Sequence, residues 1–340
     1  MADSTSISIS RKYKFLCTLI SCTLLTAYIL CIPCASYAQK TIVTIPKATI
    51  FNFWRIVCMG AHAAVEDSDI KLIWRGSRVE NKPSAQQHLL EYYIDQKVDA
   101  IVLAPMDRKI LNPYIEKAAQ AGIKIVIIDS PVTTDSIDCF ISTDNYKAGA
   151  MGAELMASRL NSAGPVLVVG HSPDNGSCAL REKGFIDRMQ DLSPGRTIIT
   201  IHMLDGSERE TRLSTEEILK NTPCIAGVFT TNEATSDGVL HVMQDRNGTH
   251  IPFIAFDYNQ KLLEGVRNKQ IEALITQRPY ALGFFGVRSA IELLNGKKVS
   301  KQMESPVTVI TNDNIDEAGS LRCLRKISIE EKSACPICFN

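Results

Sequence analysis

The sequence lacks any excess of charge: across 340 residues, 37 Lys and Arg stand against 37 Asp and Glu, a formal net charge of zero. That balance excludes a nucleic-acid binder held by bulk electrostatic attraction. Compact catalytic motifs are also missing. There is no Gly-x-Ser-x-Gly elbow, no His-Glu-x-x-His, no Walker loop and no Gly-x-Gly-x-x-Gly behind a strand. His62, His88, His171, His202, His241 and His250 are dispersed, and none has an obvious catalytic partner. The chain is 45% hydrophobic, 22% charged and 6% aromatic, fractions that speak against long disorder, collagen-like repeats and a polytopic membrane protein. Its length suits roughly two domains of about 150 residues.

What is present begins with an address. Arg11, Lys12 and Lys14 precede an apolar stretch over residues 15–32, and Ser36-Tyr37-Ala38 then places small residues at −3 and −1 before Gln39. This is the pattern of a secretory leader cut after Ala38. An uncleaved anchor has the right length for one span but leaves the small-residue site unexplained. Leu19-Ile20-Ser21-Cys22 resembles a lipoprotein box, yet the apolar run continues past Cys22. Arg11, Lys12, Lys14 and Asp3 leave with the leader, so the remainder carries a formal charge of −2.

The leader also takes Cys17, Cys22, Cys31 and Cys34, leaving seven of eleven cysteines. Export makes some disulfides plausible. Cys58, Cys139, Cys178 and Cys224, however, are scattered singly, mostly in apolar segments, where an unpaired thiol behaves as a small hydrophobe. Cys323 and Cys335-Pro-Ile-Cys338 form a lone group without the second pair a zinc site needs, and read as an inert or structural tail.

From residue 41 one rhythm repeats: a short β-branched run, a polar loop, a helical stretch. The pattern predicts strands over residues 41–45, 70–74, 100–104, 123–128 and 139–142, with helices over 54–66, 82–96 and 110–121 between them. A second set follows, with strands over 166–169, 197–203, 227–230, 253–256, 271–276 and 307–310. Its helices cover 146–160, 181–190, 211–220, 234–244, 262–268 and 281–294. Alternation over the whole length implies right-handed crossovers and parallel sheets, hence two doubly wound α/β lobes.

In open sheets of this kind ligands bind at the carboxyl ends of the strands. Asp129-Ser130, Asn232, Asp257 and Gln277 each follow an apolar strand closely. Two carboxylates and two amides suit a hydroxyl-rich ligand, because each hydroxyl both donates and accepts. Taken singly, an Asp or Asn there serves equally as a helix cap or turn residue. Phe53 and Trp54, at the first strand-to-helix junction, either stack on a sugar face or seal the core. Lys47 is either a polar contact or a solvated loop residue, and Trp74-Arg75 is ambiguous in the same way. Asn175-Gly-Ser177 and Asn247-Gly-Thr249 match glycosylation sequons but read as turns, which Asn-Gly favours.

Several segments, in this order and spacing, carry a resemblance: Gln96 to Pro105 (QKVDAIVLAP), Ile127-Ile128-Asp129-Ser130, and Ser142-Thr143-Asp144-Asn145 with Gly149. Arg181-Glu182-Lys183-Gly184-Phe185, Phe229-Thr230-Thr231-Asn232-Glu233, Ala255-Phe256-Asp257, and Gln277-Arg278-Pro279-Tyr280 with Gly283 continue it. From about Thr41 to Ile315 the chain resembles the type I periplasmic solute-binding proteins of sugar ABC importers, the ribose-binding-like group. The resemblance implies two lobes joined by a three-segment hinge and closing on a ligand. Residues 41–144 with 278–307 would form the N-terminal lobe and 145–277 with 308–322 the C-terminal lobe, leaving 323–340 as the cysteine-containing tail. Hinge segments are expected near 143–145, 257–259 or 276–278, and around Pro306.

By position, Asp129, Asn232, Asp257 and Gln277 match the family's pocket residues, and Phe53 and Trp54 its aromatic pair; Lys47 and Ser130 complete the expected ligand-binding set. Ser130 stands where ribose binders have an arginine. A second pocket arginine would fall near Cys178 or Ala179, whereas Arg181 matches the helix arginine of Arg-x-x-Gly-Phe, more often structural. The first-loop polar residue becomes Lys47, and the neighbouring Asn becomes a hydrophobic residue. Losing two bidentate donors argues against ribose itself and leaves another sugar, a polyol or a non-sugar ligand open. The expected protein is therefore a periplasmic receptor with no catalytic residue, no metal and no cofactor. Its partners would be a small-molecule ligand and either an ABC permease or a membrane sensor kinase, with no nucleic acid. A transcription-factor relative of the fold would need an N-terminal helix-turn-helix where the leader stands.

Overall fold

The structure, a computed structural model, describes residues 39–317 apart from 81, 205 and 247–249. The expected leader and its cleavage site, the second sequon, and Cys323, Cys335 and Cys338 lie outside the described residues. The chain opens with β1 (Lys40–Ile45), α1 (Asn52–Ala63), β2 (Ile70–Trp74), α2 (Pro83–Asp95), β3 (Ala100–Leu103), α3 (Asn112–Gln120), β4 (Lys124–Ile128) and β5 (Cys139–Ser142). It continues with α4 (Asn145–Ala157), β6 (Val166–His171), α5 (Gly176–Leu192), β7 (Ile198–Met203), α6 (Glu208–Asn221), β8 (Gly227–Thr230) and α7 (Glu233–Asp245). Then come β9 (Phe253–Phe256), α8 (Gln260–Arg267), β10 (Ala273–Thr276), α9 (Pro279–Leu294), β11 (Gln302–Glu304) and β12 (Thr308–Ile310).

These strands make two six-stranded sheets, ordered β11-β5-β4-β3-β1-β2 and β12-β10-β9-β8-β6-β7. Each is the core of one α/β lobe. The central strands are buried on both faces, which is why they read as unbroken apolar runs. In β3, Ala100 and Val102 pack beneath α1 and α9, while Ile101 and Leu103 pack against α2 and α3. The second sheet divides likewise: Val228 faces Val239 and Leu262, and Phe229 faces Met156 and Phe185. Each of the Val, Ile, Leu, Met and Phe side chains, where fully buried, contributes about 1.5–3 kcal/mol of hydrophobic stabilisation.

The chain passes between the sheets three times, through residues 143–144, 277–278 and 305–307. Residues 257–259, the remaining hinge expectation, instead join β9 to α8 within one lobe. The last crossing also explains two departures from the predicted pattern. Gln302–Glu304 adds a short parallel edge strand that its polar sequence hides. The chain then returns directly to the other sheet, so β12 pairs with β10 antiparallel rather than parallel.

The crossings exchange helices between the lobes. After β5 the chain leaves the first sheet and α4 packs beside α5, and after β10 it leaves the second and α9 packs beside α1. Both contacts are glycine-dependent. A Cβ on Gly149 would lie 1.9 Å from the Arg181 carbonyl oxygen, and one on Gly283 1.9 Å from that of Val57. No side chain fits at such separations, so these glycines set how closely each crossing helix approaches the helix that carries site residues.

Candidate functional site

Asp129 and Asp257 occupy equivalent places. Each follows the fourth strand in chain order of its own sheet, β4 and β9. Each is held in the left-handed backbone region, at φ 67° and 64°. Their backbone N–H groups donate to Ile141 and Ile275 carbonyls on the neighbouring strands, both at 2.9 Å. Left-handed backbone at a non-glycine residue costs on the order of 1–3 kcal/mol and persists where the surroundings impose it, commonly at functional sites. Here it turns one carboxylate from each lobe toward the cleft.

The Asp129 side is built around Lys47, which is 1% exposed. Its ammonium lies 2.6 Å from Asp129 Oδ2 and donates to Ser130 Oγ at 2.6 Å, both in its own lobe. It also donates to Asn175 Oδ1 at 3.0 Å and Ser177 Oγ at 3.1 Å, at the first turn of α5 in the other lobe. Burial alone would lower the Lys47 pKa, but the charges of Asp129 and Glu80 outweigh it and raise the pKa above its ordinary value. The lysine is therefore a charged bridge between lobes.

On the Asp257 side, Gln277 Nε2 donates to Asp257 Oδ1 at 2.7 Å, and Thr143 Oγ1 to Gln277 Oε1 at 3.1 Å, tying two crossing segments to the site. Arg181 is 2% exposed, its guanidinium 3.9 Å above the Phe256 ring. Its Nε donates to Asn145 Oδ1 and its Nη1 to the Thr231 carbonyl, both at 2.8 Å, with Asp257 Oδ2 at 3.9 Å. Its Nη2 is buried and has no hydrogen-bond partner among the described residues. Burial lifts the Asp257 carboxyl to about 6 against the lowering influence of Arg181 and Gln277.

The aromatic side is Phe53 and Trp54 in the first turn of α1, their rings edge to face at 4.9 Å. Trp54 Nε1 donates to Glu80 Oε1 at 2.7 Å, and Glu80 Oε2 accepts from Asn175 Nδ2 of the opposite lobe at 3.2 Å. Glu233, at the start of α7, accepts from the backbone N–H of Asn52 at 3.1 Å and of Phe53 at 2.9 Å. Burial lifts the Glu233 carboxyl to about 7, partly offset by those N–H groups and Asn259.

The structure brings Lys47, Phe53, Trp54, Asp129, Asn232, Asp257 and Gln277 together around one narrow pocket between the lobes. Ser130 is not among the lining residues. It sits behind them, accepting from Lys47 and from the Ser177 backbone N–H and donating to Asp129. Asn232 lines the pocket and also caps α7, its Oδ1 accepting from Thr235 N at 3.1 Å. Binding-type and capping geometry thus coincide in one residue.

Sequence reasoning missed Phe51, Glu80, Ser177, Cys178, Arg181, Glu233 and Ala234 as lining residues. The predicted helix began at Arg181, yet α5 begins at Gly176, with Asn175 as its N-cap accepting from Cys178 N. Ending the preceding strand at Val169 rather than His171 hid the strand-end rule's own answer. Asn175-Gly-Ser177, read as a turn, is thus a helix start. Cys58, Cys139, Cys178 and Cys224 are all free thiols. Burial pushes that of Cys178 up to about 11, as expected of an inert small hydrophobe rather than a nucleophile.

Comparison with known proteins gives consistent matches. A family model described as the periplasmic binding protein domain matches residues 42–298. The ribose import binding protein of Bacillus subtilis is 27% identical over 233 residues, covering 68% of this chain and 75% of that protein. A carbohydrate transporter solute-binding protein from Agrobacterium radiobacter, solved in complex with D-arabinose, superposes with a TM-score of 0.81 at 27% identity, covering 85% of this chain and all of that one. An ABC transporter solute-binding protein from Agrobacterium vitis with bound D-fucose gives a TM-score of 0.78 at 30% identity, covering 82% and 98%.

Proposed function

Because the chain belongs to the periplasmic binding protein family, we propose that its cleft captures a small hydroxyl-rich ligand, a sugar or polyol, and presents it to the permease of an ABC importer. The observation that carries this reading is the convergence of Asp129 from one lobe with Asp257 and Asn232 from the other on a single pocket. Solute-binding relatives carry D-arabinose and D-fucose in such folds. Contacts from both lobes exist only in the closed arrangement, so a ligand that makes them shifts the population toward closure.

In this reading Asp257, Gln277 and Asn232 accept from and donate to ligand hydroxyls, and Phe53 and Trp54 cover an apolar sugar face. Asp129 accepts a hydroxyl from the opposite side. Lys47 and Ser130 hold Asp129 in place, their own hydrogen-bonding capacity being met within the protein. The protein is read as an exported, non-enzymatic receptor whose leader is removed after Ala38, giving a mature chain that begins at Gln39; mass spectrometry of the secreted protein tests that boundary.

The binding test is a thermal-shift screen of the mature chain against pentoses, hexoses, their 6-deoxy forms and polyols, since a ligand for the folded state raises Tm by mass action. At least one member is expected to raise Tm by several degrees. A flat response across the whole panel would overturn the assignment of ligand class.

A further inference from the structure

Helix α1 begins without a cap of its own. Its N-cap residue is Phe51, whose side chain makes no capping hydrogen bond, and its first turn holds no acidic residue. The first backbone N–H groups of a helix need acceptors, and the helix dipole favours a negative charge there. Both needs are met from the other lobe. Glu233 Oε1 and Oε2 accept from the N–H groups of Asn52 and Phe53 at 3.1 and 2.9 Å, and Asn52 Nδ2 donates to the Tyr258 carbonyl at 3.0 Å.

Glu233 is itself braced. Asn259 Nδ2 donates to its Oε1 at 3.1 Å and to both carboxylate oxygens of Asp237 at 2.9 Å. The charged group that acts on Glu233 from the rest of its lobe is Asp257, which faces the same pocket. Opening the cleft separates Glu233 from α1 and returns both to water.

We propose that Glu233 is the catch of the cleft, a positioning residue that caps the helix of the opposite lobe and so favours closure over and above any ligand contact. The proposal rests on the reading of the cleft as one that closes on a ligand. Closure fixes the turn carrying Phe53 and Trp54 at the moment those rings are needed. A side-chain cap contributes about 0.5–2 kcal/mol, which corresponds to about a 2–30-fold change in the closed-to-open ratio and in apparent affinity.

The experiment uses the mature chain, with D-arabinose, D-fucose, D-ribose and xylitol as probes. E233Q is expected to bind the responding probe about 2–30-fold more weakly than wild type. Phe51 lines the pocket, so the second arm compares two variants that both lack its ring. F51S gives α1 its own cap and F51A does not. The serine variant is expected to have the higher unliganded Tm and yet the weaker affinity, because a serine N-cap accepts from the N–H of the second or third helical residue and so takes over part of what Glu233 supplies. In an E233Q background that affinity difference should vanish. A role of Glu233 as a direct ligand contact or a merely structural residue does not invert stability against affinity. Wild-type affinity in E233Q, or F51S binding as tightly as F51A, would overturn the proposal. If none of these probes, nor any other member of the thermal-shift panel, binds the wild-type chain, the ligand reading fails separately. Small-angle scattering without ligand then decides the catch: a larger radius of gyration for E233Q supports it, and an unchanged one overturns it.

Discussion

Lys47→Met isolates the buried bridge that joins the lobes. In the wild type the ammonium sits 2.6 Å from Asp129 Oδ2, with both side chains nearly inaccessible to solvent. Methionine keeps the volume and removes the charge. Asp129 is then left with Ser130 Oγ at 3.2 Å and Ser177 Oγ at 3.4 Å as side-chain donors. Breaking a buried pair from one side costs about 3–5 kcal/mol, because the surviving charge stays desolvated. At about 2.1 cal/mol/K of unfolding entropy per residue over about 300 residues, that is a fall in Tm of about 5–8 °C. Replacing both partners, Lys47→Met with Asp129→Asn, removes the charge of the pair with a residue that tolerates the left-handed backbone at this position, and should recover more than half of the lost Tm. Recovery stays incomplete because Ser130, Asn175 and Ser177 each lose the ammonium as a donor. Differential scanning calorimetry of the three mature proteins is the assay. A single variant melting within 2 °C of wild type (about 1 kcal/mol by the same conversion), or a double variant less stable than the single, would show that Asp129 does not depend on the Lys47 charge.

Asp257→Asn should abolish the ligand-induced thermal shift while changing the unliganded Tm little, and the screen above reads both. Asn232→Ala should also abolish the shift, but it costs about 1 kcal/mol of α7 capping as well, visible as a lower unliganded Tm. Stability should decline as pH rises from about 5 to 8. Desolvation raises the carboxyls of Glu233 to about 7 and of Asp237 and Asp257 to about 6 in the folded chain, so their favourable contribution is present in acid and lost through those values. A calorimetric Tm that is flat or rising over that window contradicts the burial assigned to these groups. Gly149→Ala should lower Tm through a cost of about 1–3 kcal/mol, because the new methyl meets the Arg181 backbone and not a flexible side chain. Thermal denaturation that leaves Tm unmoved would mean that α4 and α5 separate freely.

Much of the fold was legible because the strands of both sheets are buried on two faces, so Ile101, Val102, Val228 and Phe229 could not be mistaken for surface residues. The strand-end rule then placed Asp129, Asn232, Asp257 and Gln277 in one pocket without any contact being known. What stayed hidden has two physical sources. Lys47 reads as a solvated loop residue in one dimension, since the partners that bury it lie 82 to 130 positions away. Glu233 and Glu80 act on the opposite lobe, and no local pattern records an acceptor supplied from elsewhere. The edge strand Gln302–Glu304 was equally silent, because Gln and Glu flank a single buried methionine.

The central claim is that both lobes hold one ligand at the same time. The most direct measurement is a crystal structure of the mature chain with the sugar or polyol that gives the largest thermal shift. Ligand hydroxyls are expected within hydrogen-bonding distance of Asp257 and Asn232 on one side and Asp129 on the other, with Phe53 or Trp54 against the ring or carbon chain. A ligand touching only one lobe, or seated away from these residues, would contradict it.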